Sequence, residues 1–227
     1  MSPERDHWEF AWLEPDLQAE PGFPRAAALR AALWLPGEII KIAFLDDDHE
    51  LRHQVAAVAG IWVQPFMANL TFRYIADPRE ADIRISFKKS GSWSCVGNTC
   101  RYIKDIQQPT MNFGWLNQDS AQAEIRRVVL HEFGHALGLV HEHSSPAAGI
   151  QWDRARVIQD LSYWSPEKVE TNVFNAYAAQ ETNFTAFDPQ SIMVYPIPAA
   201  WTLDGFSVSM NDDLSPMDRV FIQQTYP

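Results

Sequence analysis

The stretch "VVLHEFGHALGLVHEHSSP", from Val128 to Pro146, constrains this chain more than any other part of its sequence. It contains four of the seven histidines, and a glutamate directly follows the first of them. His131 and His135 are four residues apart, so on an α-helix they lie one turn apart and about 40° from each other around the axis. Two imidazoles placed in this way can bind the same metal ion.

A third histidine, His141, can join these two only if the chain changes direction. On a continued helix it would point about 240° away from His135 and lie about 9 Å further along the axis. Gly138 is expected to provide the change, because glycine adopts the left-handed conformation that ends a helix. The pattern therefore predicts one Zn²⁺ per chain, held by three neutral nitrogens with an open fourth position, as in catalytic zinc sites.

Glu132 and His143 are the other two residues of this stretch whose side chains carry chemistry. Glu132 follows His131 on the helix and is expected to face the place of a metal-bound water, where it would accept that water's proton during attack. His143 fits no ligand spacing, so we expect it to lie at the surface or behind the ligands.

The pattern H-E-x-x-H-x-x-G-x-x-H is that of the metzincin metallopeptidases, which add a methionine turn downstream. "SIMVY", from Ser191 to Tyr195, resembles the methionine turn of the astacin family, which typically reads S-x-M-H-Y. Glu142 directly after the third histidine is also astacin-like, as are "SGSWSCVG", "LSPMD" and "LWLPGEIIKIAF". The resemblance covers roughly residues 33–227.

The resemblance implies an α+β zincin fold and the activity of a zinc endopeptidase. We expect a twisted mixed β-sheet with two long helices in an upper lobe, residues 33–138. An irregular lower lobe with a C-terminal helix, residues 139–227, would follow, with the active-site cleft between the lobes. Residues 1–32, rich in proline, glutamate and aromatics, are expected to form an N-terminal arm.

Three further site residues follow from the resemblance. Met193 would form a hydrophobic floor under the zinc site, and the hydroxyl group of Tyr195 would reach the zinc or the developing oxyanion. Glu142 would lie behind the ligands. If residues 1–32 stay attached, Glu142 needs a local donor, such as a backbone amide, Arg154 or Arg156, because a buried carboxylate without a partner is costly.

Two states of the arm remain open. In the first, it lies in the cleft as a latency segment, with Glu14 or Asp16 at the open zinc position. In the second, which we favour because the F-x-G-D signature of family pro-segments is missing, it packs on the outside of the domain through Trp8, Phe10 and Trp12.

The sequence departs from the family pattern at two places. Val194 stands where the methionine turn usually has histidine, and Ser92 stands where the family has a cysteine. Cys95 and Cys100 are too close in sequence to supply the two long-range disulfides of animal astacins. They either bridge a short loop or remain free thiols.

Several secondary-structure elements are expected to frame the histidines. A helix that Asp47 or Asp48 caps follows the first strand, and Asp119 or Ser120 is expected to cap the histidine helix. Ser215 is expected to cap the last helix. "SGSWSCVGNTC" is interpreted as a loop, and "PTMNFGWL" as the edge strand on which a peptide substrate would lie by strand addition.

Charge and composition narrow the range of partners. The formal net charge is -11 without a long basic run, so we expect neither nucleic acid nor an anionic membrane as a partner. No apolar run reaches the length of a membrane span. The first residues lack the pattern of a secretory signal, so the chain is expected to be cytoplasmic as translated unless a leader has been removed.

A peptide or protein is therefore the expected partner, and the sequence says nothing about the oligomeric state. Two other functions stay open. One is a zinc hydrolase that acts on a single peptide precursor or on a non-peptide amide. The other is a non-catalytic binding domain that zinc stabilises, although Glu132 argues against it because a structural site needs no base.

Overall fold

A five-stranded β-sheet forms one side of the structure, a computed structural model that describes residues 32–145, 147–175 and 186–227. The strands run in the order β2-β1-β3-β5-β4 across the sheet. All neighbouring pairs are parallel except β4 and β5, so the sheet is mixed, as predicted. The strands are β1 (Ile39–Phe44), β2 (Thr71–Tyr74), β3 (Ile83–Ser86), β4 (Ser92–Ser94) and β5 (Met111–Phe113).

Five α-helices accompany this sheet in the described ranges. They are α1 (His49–Ala59), α2 (Gln122–Ala136), α3 (Arg154–Asp160), α4 (Pro166–Val169) and α5 (Pro216–Thr225). Short 3-10 helices cover Gly60–Val63, Pro78–Glu80, Gly97–Tyr102, Glu142–Ser144 and Ala199–Trp201, and a π-helix covers Glu170–Phe174. None of the helices in these ranges is long and apolar enough to cross a bilayer. The states expected for the arm, including those of Glu14, Asp16, Trp8, Phe10 and Trp12, lie outside the described residues.

Helix caps agree with the sequence at two of three predicted positions. Asp48 accepts a hydrogen bond from the Leu51 amide and caps α1. Ser215 forms a capping box with Asp218 at the start of α5. The predicted cap of α2 is wrong: α2 follows Ala121 without a side-chain cap, because the Ser120 hydroxyl accepts from the Asn117 amide instead.

The predicted edge strand is also wrong. β5, which lies within "PTMNFGWL", pairs with β3 on one side and with β4 on the other, so it is an interior strand. The edge is β4, within the segment that we interpreted as a loop. Three residues, two of them serine, are too few to show the alternation that identifies a strand.

Asn112 on β5 holds β4 in place. Its side-chain amide donates to the carbonyl oxygens of Lys89 and Gly91, and its side-chain oxygen accepts from the Lys89 amide. Asn112 is completely buried; its bond to Gly91 is buried too, and its two bonds to Lys89 are partly buried. They shape the connection that leads from β3 into β4.

We predict that Asn112→Ala lowers the free energy of unfolding by about 2–4 kcal/mol, because it removes all three hydrogen bonds of this side chain and leaves the Lys89 main-chain groups without their partner. Urea unfolding measures this change. Gln107→Ala, at an exposed position in the preceding loop, is the control and is expected to change stability by less than about 0.5 kcal/mol. Equal stability of the two variants would contradict this role.

Two apolar clusters meet at the methionine turn. The first contains side chains of the sheet, α1 and α2, together with Ile222 and Tyr226 from the end of the chain. The second contains residues of α3 and the chain after it, including Trp201. Met193 belongs to the first cluster and Tyr195 to the second. The turn therefore joins both clusters, whereas the lobe boundary at residue 138 and the arm boundary at residue 32 stay predictions.

Candidate metal centre and active site

The end of α2 turns the chain as the spacing of the histidines requires. Gly138 has a φ of 93°, in the left-handed region. Its amide donates to the His135 carbonyl, and the Leu139 amide donates to the Gly134 carbonyl. These two bonds form a Schellman motif, which closes the helix and reverses the chain. The chain therefore turns at Gly138, directly after α2.

The reversal brings the three predicted histidines together. His141 Nε2 lies 3.0 Å from His135 Nε2 and 3.3 Å from His131 Nε2. All three residues are buried. Among the described residues, these three histidines form the group whose ligand atoms lie close enough together to hold a metal ion.

Two carbonyl groups select the nitrogen that each helical imidazole presents. The Ile192 carbonyl oxygen lies 2.8 Å from His131 Nδ1, and the Leu139 carbonyl oxygen lies 2.9 Å from His135 Nδ1. Because a carbonyl oxygen only accepts, each Nδ1 carries the proton and each Nε2 is left with its lone pair. This is the arrangement that metal-binding histidines usually show.

The donor set fits zinc. In tetrahedral zinc sites the Zn–N bonds are about 2.0–2.1 Å long, which separates neighbouring nitrogens by about 3.3 Å. The observed separations of 3.0 and 3.3 Å agree with this value. Burial lowers the pKa of His131 and His141 well below 6.5, so both imidazoles are neutral, as ligands must be.

The methionine turn packs directly under this triad. The Met193 amide donates to the Ser191 hydroxyl, and the Met193 carbonyl accepts from the Glu142 amide next to the third histidine. Met193 is 1% exposed. A Cβ atom on Gly134 would lie 2.4 Å from the Met193 sulfur. Glycine in the middle of α2 therefore lets the turn approach the helix.

We predict that Gly134→Ala destabilises the fold by about 1–3 kcal/mol and weakens zinc binding, because the buried Met193 moves only by shifting the turn. Thermal unfolding and zinc titration measure the two effects. Gly60→Ala, at the end of α1 with no neighbour within 4 Å, is the matched control. It is expected to be neutral or to stabilise by up to about 1 kcal/mol. A Gly134→Ala protein more stable than wild type would show that helix propensity outweighs this contact.

Asp218 fixes the turn from the other side. Its carboxylate accepts from the Ser191 hydroxyl at 2.6 Å and from the amides of Ile192 and Ser215, each at 2.9 Å. The capping box of α5 is thereby connected to the Ile192 peptide, whose carbonyl orients His131. We did not predict this contact of Asp218 from the sequence, although "LSPMD" contains both the capping signal and the likeness to astacins.

Glu142 lies behind the third ligand, half-buried. Its Oε1 accepts from the Asp188 amide at 3.1 Å. Of the donors that we considered, the backbone amide is therefore correct. The two arginines are engaged elsewhere, since Arg154 pairs with Glu170 and Arg156 pairs with Asp160. Burial raises the pKa of Glu142 to about 7.

His143 is buried rather than at the surface. Its Nε2 donates to the Asn172 carbonyl at 2.9 Å, and its ring stacks on His141 with the centroids 5.4 Å apart. Burial lowers its pKa to about 4. Of our two expectations, the place behind the ligands is correct, and the imidazole supports His141 by packing.

Tyr195 and Glu132 border one recess with His131. The Tyr195 ring centroid lies 4.2 Å from that of His141 and 5.3 Å from that of His131. The recess encloses about 380 Å³ of empty space, including a part open to solvent. Glu132, one residue after the first ligand, is buried at this recess. A carboxylate and a phenol therefore share a cavity with His131, the first histidine of the triad.

The two cysteines are free thiols, so the disulfide alternative is not realised. Cys95 and Cys100 are both buried in the first apolar cluster. Burial raises the pKa of Cys95 to about 12 and that of Cys100 further, which leaves both thiols protonated and unreactive.

One family model and several solved structures are similar to this chain. Residues 32–209 match the family model described as Astacin, a peptidase family. A structure of myroilysin is 37% identical, with a TM-score of 0.84, and the match covers 88% of this chain and 97% of that chain. A crystal structure of myroilysin is 36% identical, with a TM-score of 0.66, over 87% of this chain and 86% of that chain.

A more distant structure has the same fold. High choriolytic enzyme 1, a hatching enzyme zinc-protease from the medaka fish Oryzias latipes, is 17% identical with a TM-score of 0.61. That match covers 86% of this chain and 94% of the enzyme. No curated protein sequence matches this chain.

The α+β fold and the buried histidine triad define a zinc-dependent metallopeptidase. Its family follows from the match over most of the chain: this protein belongs to the astacin family of peptidases.

Proposed function

We propose that this chain is an endopeptidase in which His131, His135 and His141 hold the zinc and Glu132 is the general base. The observation that carries the proposal is the recess that Glu132 and Tyr195 share with His131, the first histidine of the triad. When bound, Zn²⁺ at such a site polarises a carbonyl and acidifies a water molecule towards a pKa of about 7.

Glu132 would move the proton. One of its carboxylate oxygens accepts a proton from the attacking water and later delivers it to the nitrogen of the leaving amine. Two features support this role: Glu132 follows directly after a ligand on a rigid helix, and its side chain is sheltered from bulk water. A fixed, sheltered carboxylate transfers protons without first having to be oriented.

Tyr195 would stabilise the negative charge that develops on the substrate oxygen. Its ring lies against both His131 and His141, and its side chain borders the recess. A hydroxyl group held there donates a hydrogen bond to charge that forms in the transition state. Met193 keeps the role of floor, since its thioether packs on Gly134 beneath the ligands.

The outer edge of β4 would bind the substrate backbone. Gly91 accepts from Gly114, and Cys95 donates to Thr110, so alternate residues of this strand direct their main-chain groups towards β5. Ser92 and Ser94, which lie between them, direct theirs outwards. An extended peptide adds to this edge as a further strand, antiparallel to β4, since antiparallel ladders are the more stable.

We predict that Glu132→Gln retains about one zinc per chain but lowers kcat at least about a hundredfold, because the amide cannot accept the proton. Zinc content by atomic spectroscopy and turnover of a fluorogenic peptide measure the two effects. Glu50→Gln, at an exposed position on α1, is the control and leaves both unchanged. Near wild-type turnover of Glu132→Gln would show that another group is the base.

We predict that Tyr195→Phe retains the fold and the zinc. It lowers kcat by about a hundredfold with little change in KM, because the hydroxyl acts mainly in the transition state. Steady-state kinetics on the same peptide separate the two constants. An unchanged kcat would leave Tyr195 as a packing residue of the second apolar cluster.

One experiment separates a general endopeptidase from the alternatives. Cleavage-site profiling on a proteome-derived peptide library yields many cleaved sequences for a general endopeptidase. It yields one or none for an enzyme that is dedicated to a single precursor or to a non-peptide amide. A binding domain cleaves nothing and shows the same behaviour with glutamate or glutamine at position 132.

A further inference from the structure

Apart from His131, Glu132 and Tyr195, the recess is lined mainly by apolar side chains. Side chains of Trp115, Val128, Val194, Pro196 and Met210 line it. One cation, that of Arg127, stands among them. Arg127 lies one turn before His131 on α2, about 6 Å along the helix axis. Its guanidinium is therefore close enough to the reaction centre to act on a bound substrate side chain.

Glu124 neutralises this cation. Arg127 Nε donates to Glu124 Oε2 at 3.1 Å, and Arg127 Nη2 donates to Glu124 Oε1 at 2.6 Å. The Trp115 indole donates to the same carboxylate at 2.9 Å, so Glu124 is held at two points. The side chains of Arg127 and Glu124 are 13% and 20% exposed. A bidentate, charge-assisted pair of this kind is stronger than a neutral hydrogen bond and has a defined geometry.

A carboxylate entering this recess would meet opposed charges. Arg127 attracts it, but Glu124 repels it from the same pair, and Glu132, which also lines the recess, repels it as well. It would also lose its water among apolar side chains, which is costly without full compensation. An apolar side chain meets no such cost and gains from leaving water.

We propose that the Glu124–Arg127 pair makes this recess select an apolar substrate side chain and reject aspartate and glutamate. Glu124 is thereby a specificity-determining residue, although it lies outside the reaction centre. The inference rests on the proposed peptidase function for the place of the recess in the reaction, but the binding preference of the recess is independent of turnover.

The direction of the strands indicates which substrate residue enters the recess. Phe113 lies opposite Ser92, and Trp115 follows two residues later, beyond the start of β4. A peptide antiparallel to β4 runs in the same direction as β5, so its C-terminal part reaches the Trp115 side. The recess therefore takes the residue on the C-terminal side of the scissile bond.

The test uses two fluorogenic peptides that differ only in leucine or aspartate after the scissile bond. The zinc-loaded wild type is expected to cleave the leucine peptide with a kcat/KM at least about tenfold higher. Glu124→Gln keeps an acceptor for Trp115 but leaves the charge of Arg127 without its partner. The ratio of kcat/KM for the leucine peptide to that for the aspartate peptide therefore falls by about tenfold or more. The double variant Glu124→Gln, Arg127→Gln is expected to raise this ratio again, because the uncompensated cation is gone.

Asp160→Asn is the matched control. Asp160 on α3 also accepts both from an arginine, Arg156, and from a tryptophan indole, Trp201, but neither of these partners lines the recess, whereas Arg127 and Trp115 do. Loss of this carboxylate is expected to leave the preference for leucine unchanged. A shift of equal size in Asp160→Asn and Glu124→Gln would overturn the proposal, because the effect would then be one of general stability.

Binding separates this proposal from the proposed function. Calorimetry with the zinc-loaded Glu132→Gln protein measures both peptides without cleavage, and the leucine peptide is expected to bind at least about tenfold more tightly. Tighter binding of the leucine peptide, together with no cleavage of any peptide by the wild type, would contradict the peptidase function but support the selectivity. Equal binding, or tighter binding of the aspartate peptide, would overturn the selectivity even in an active peptidase.

Discussion

Two hydrogen bonds from imidazole rings to main-chain carbonyls govern the geometry of this site. They leave the Nε2 atoms of His131 and His135 free to face His141. Neither carbonyl belongs to the helix that carries the rings: Leu139 follows the Gly138 turn, and Ile192 comes from the methionine turn. The metal centre thus depends on two turns that glycine conformation and buried polar groups hold in place.

The end of the chain supports the second of these turns. Asp218 satisfies the start of α5 and at the same time binds Ser191 and the Ile192 amide. A helix cap is thereby also a support for a metal ligand. Gly134 completes the arrangement from below, since only a residue without a side chain lets the Met193 sulfur approach α2.

Local patterns predicted much of this protein. The spacing of the histidines, the turn at Gly138, the cap of α5 and the mixed sheet all follow from rules that act over a few residues. The edge strand did not, because the neighbours of a strand depend on the whole sheet and Ser92–Ser94 is too short to show a period. The role of the Glu124–Arg127 pair was not predicted for a similar reason. It depends on the contact of Glu124 with Trp115 and on the recess that Arg127 lines, and neither follows from the local sequence.

X-ray absorption at the zinc edge tests the central claim most directly. For the zinc-loaded wild type, we predict three imidazole nitrogens and one oxygen at about 2.0–2.1 Å and no sulfur neighbour. His141→Ala should lose one imidazole contribution, since His141 comes from beyond the Gly138 turn to complete the triad. A sulfur scatterer at about 2.3 Å, or an unchanged spectrum in His141→Ala, would contradict the three-histidine site.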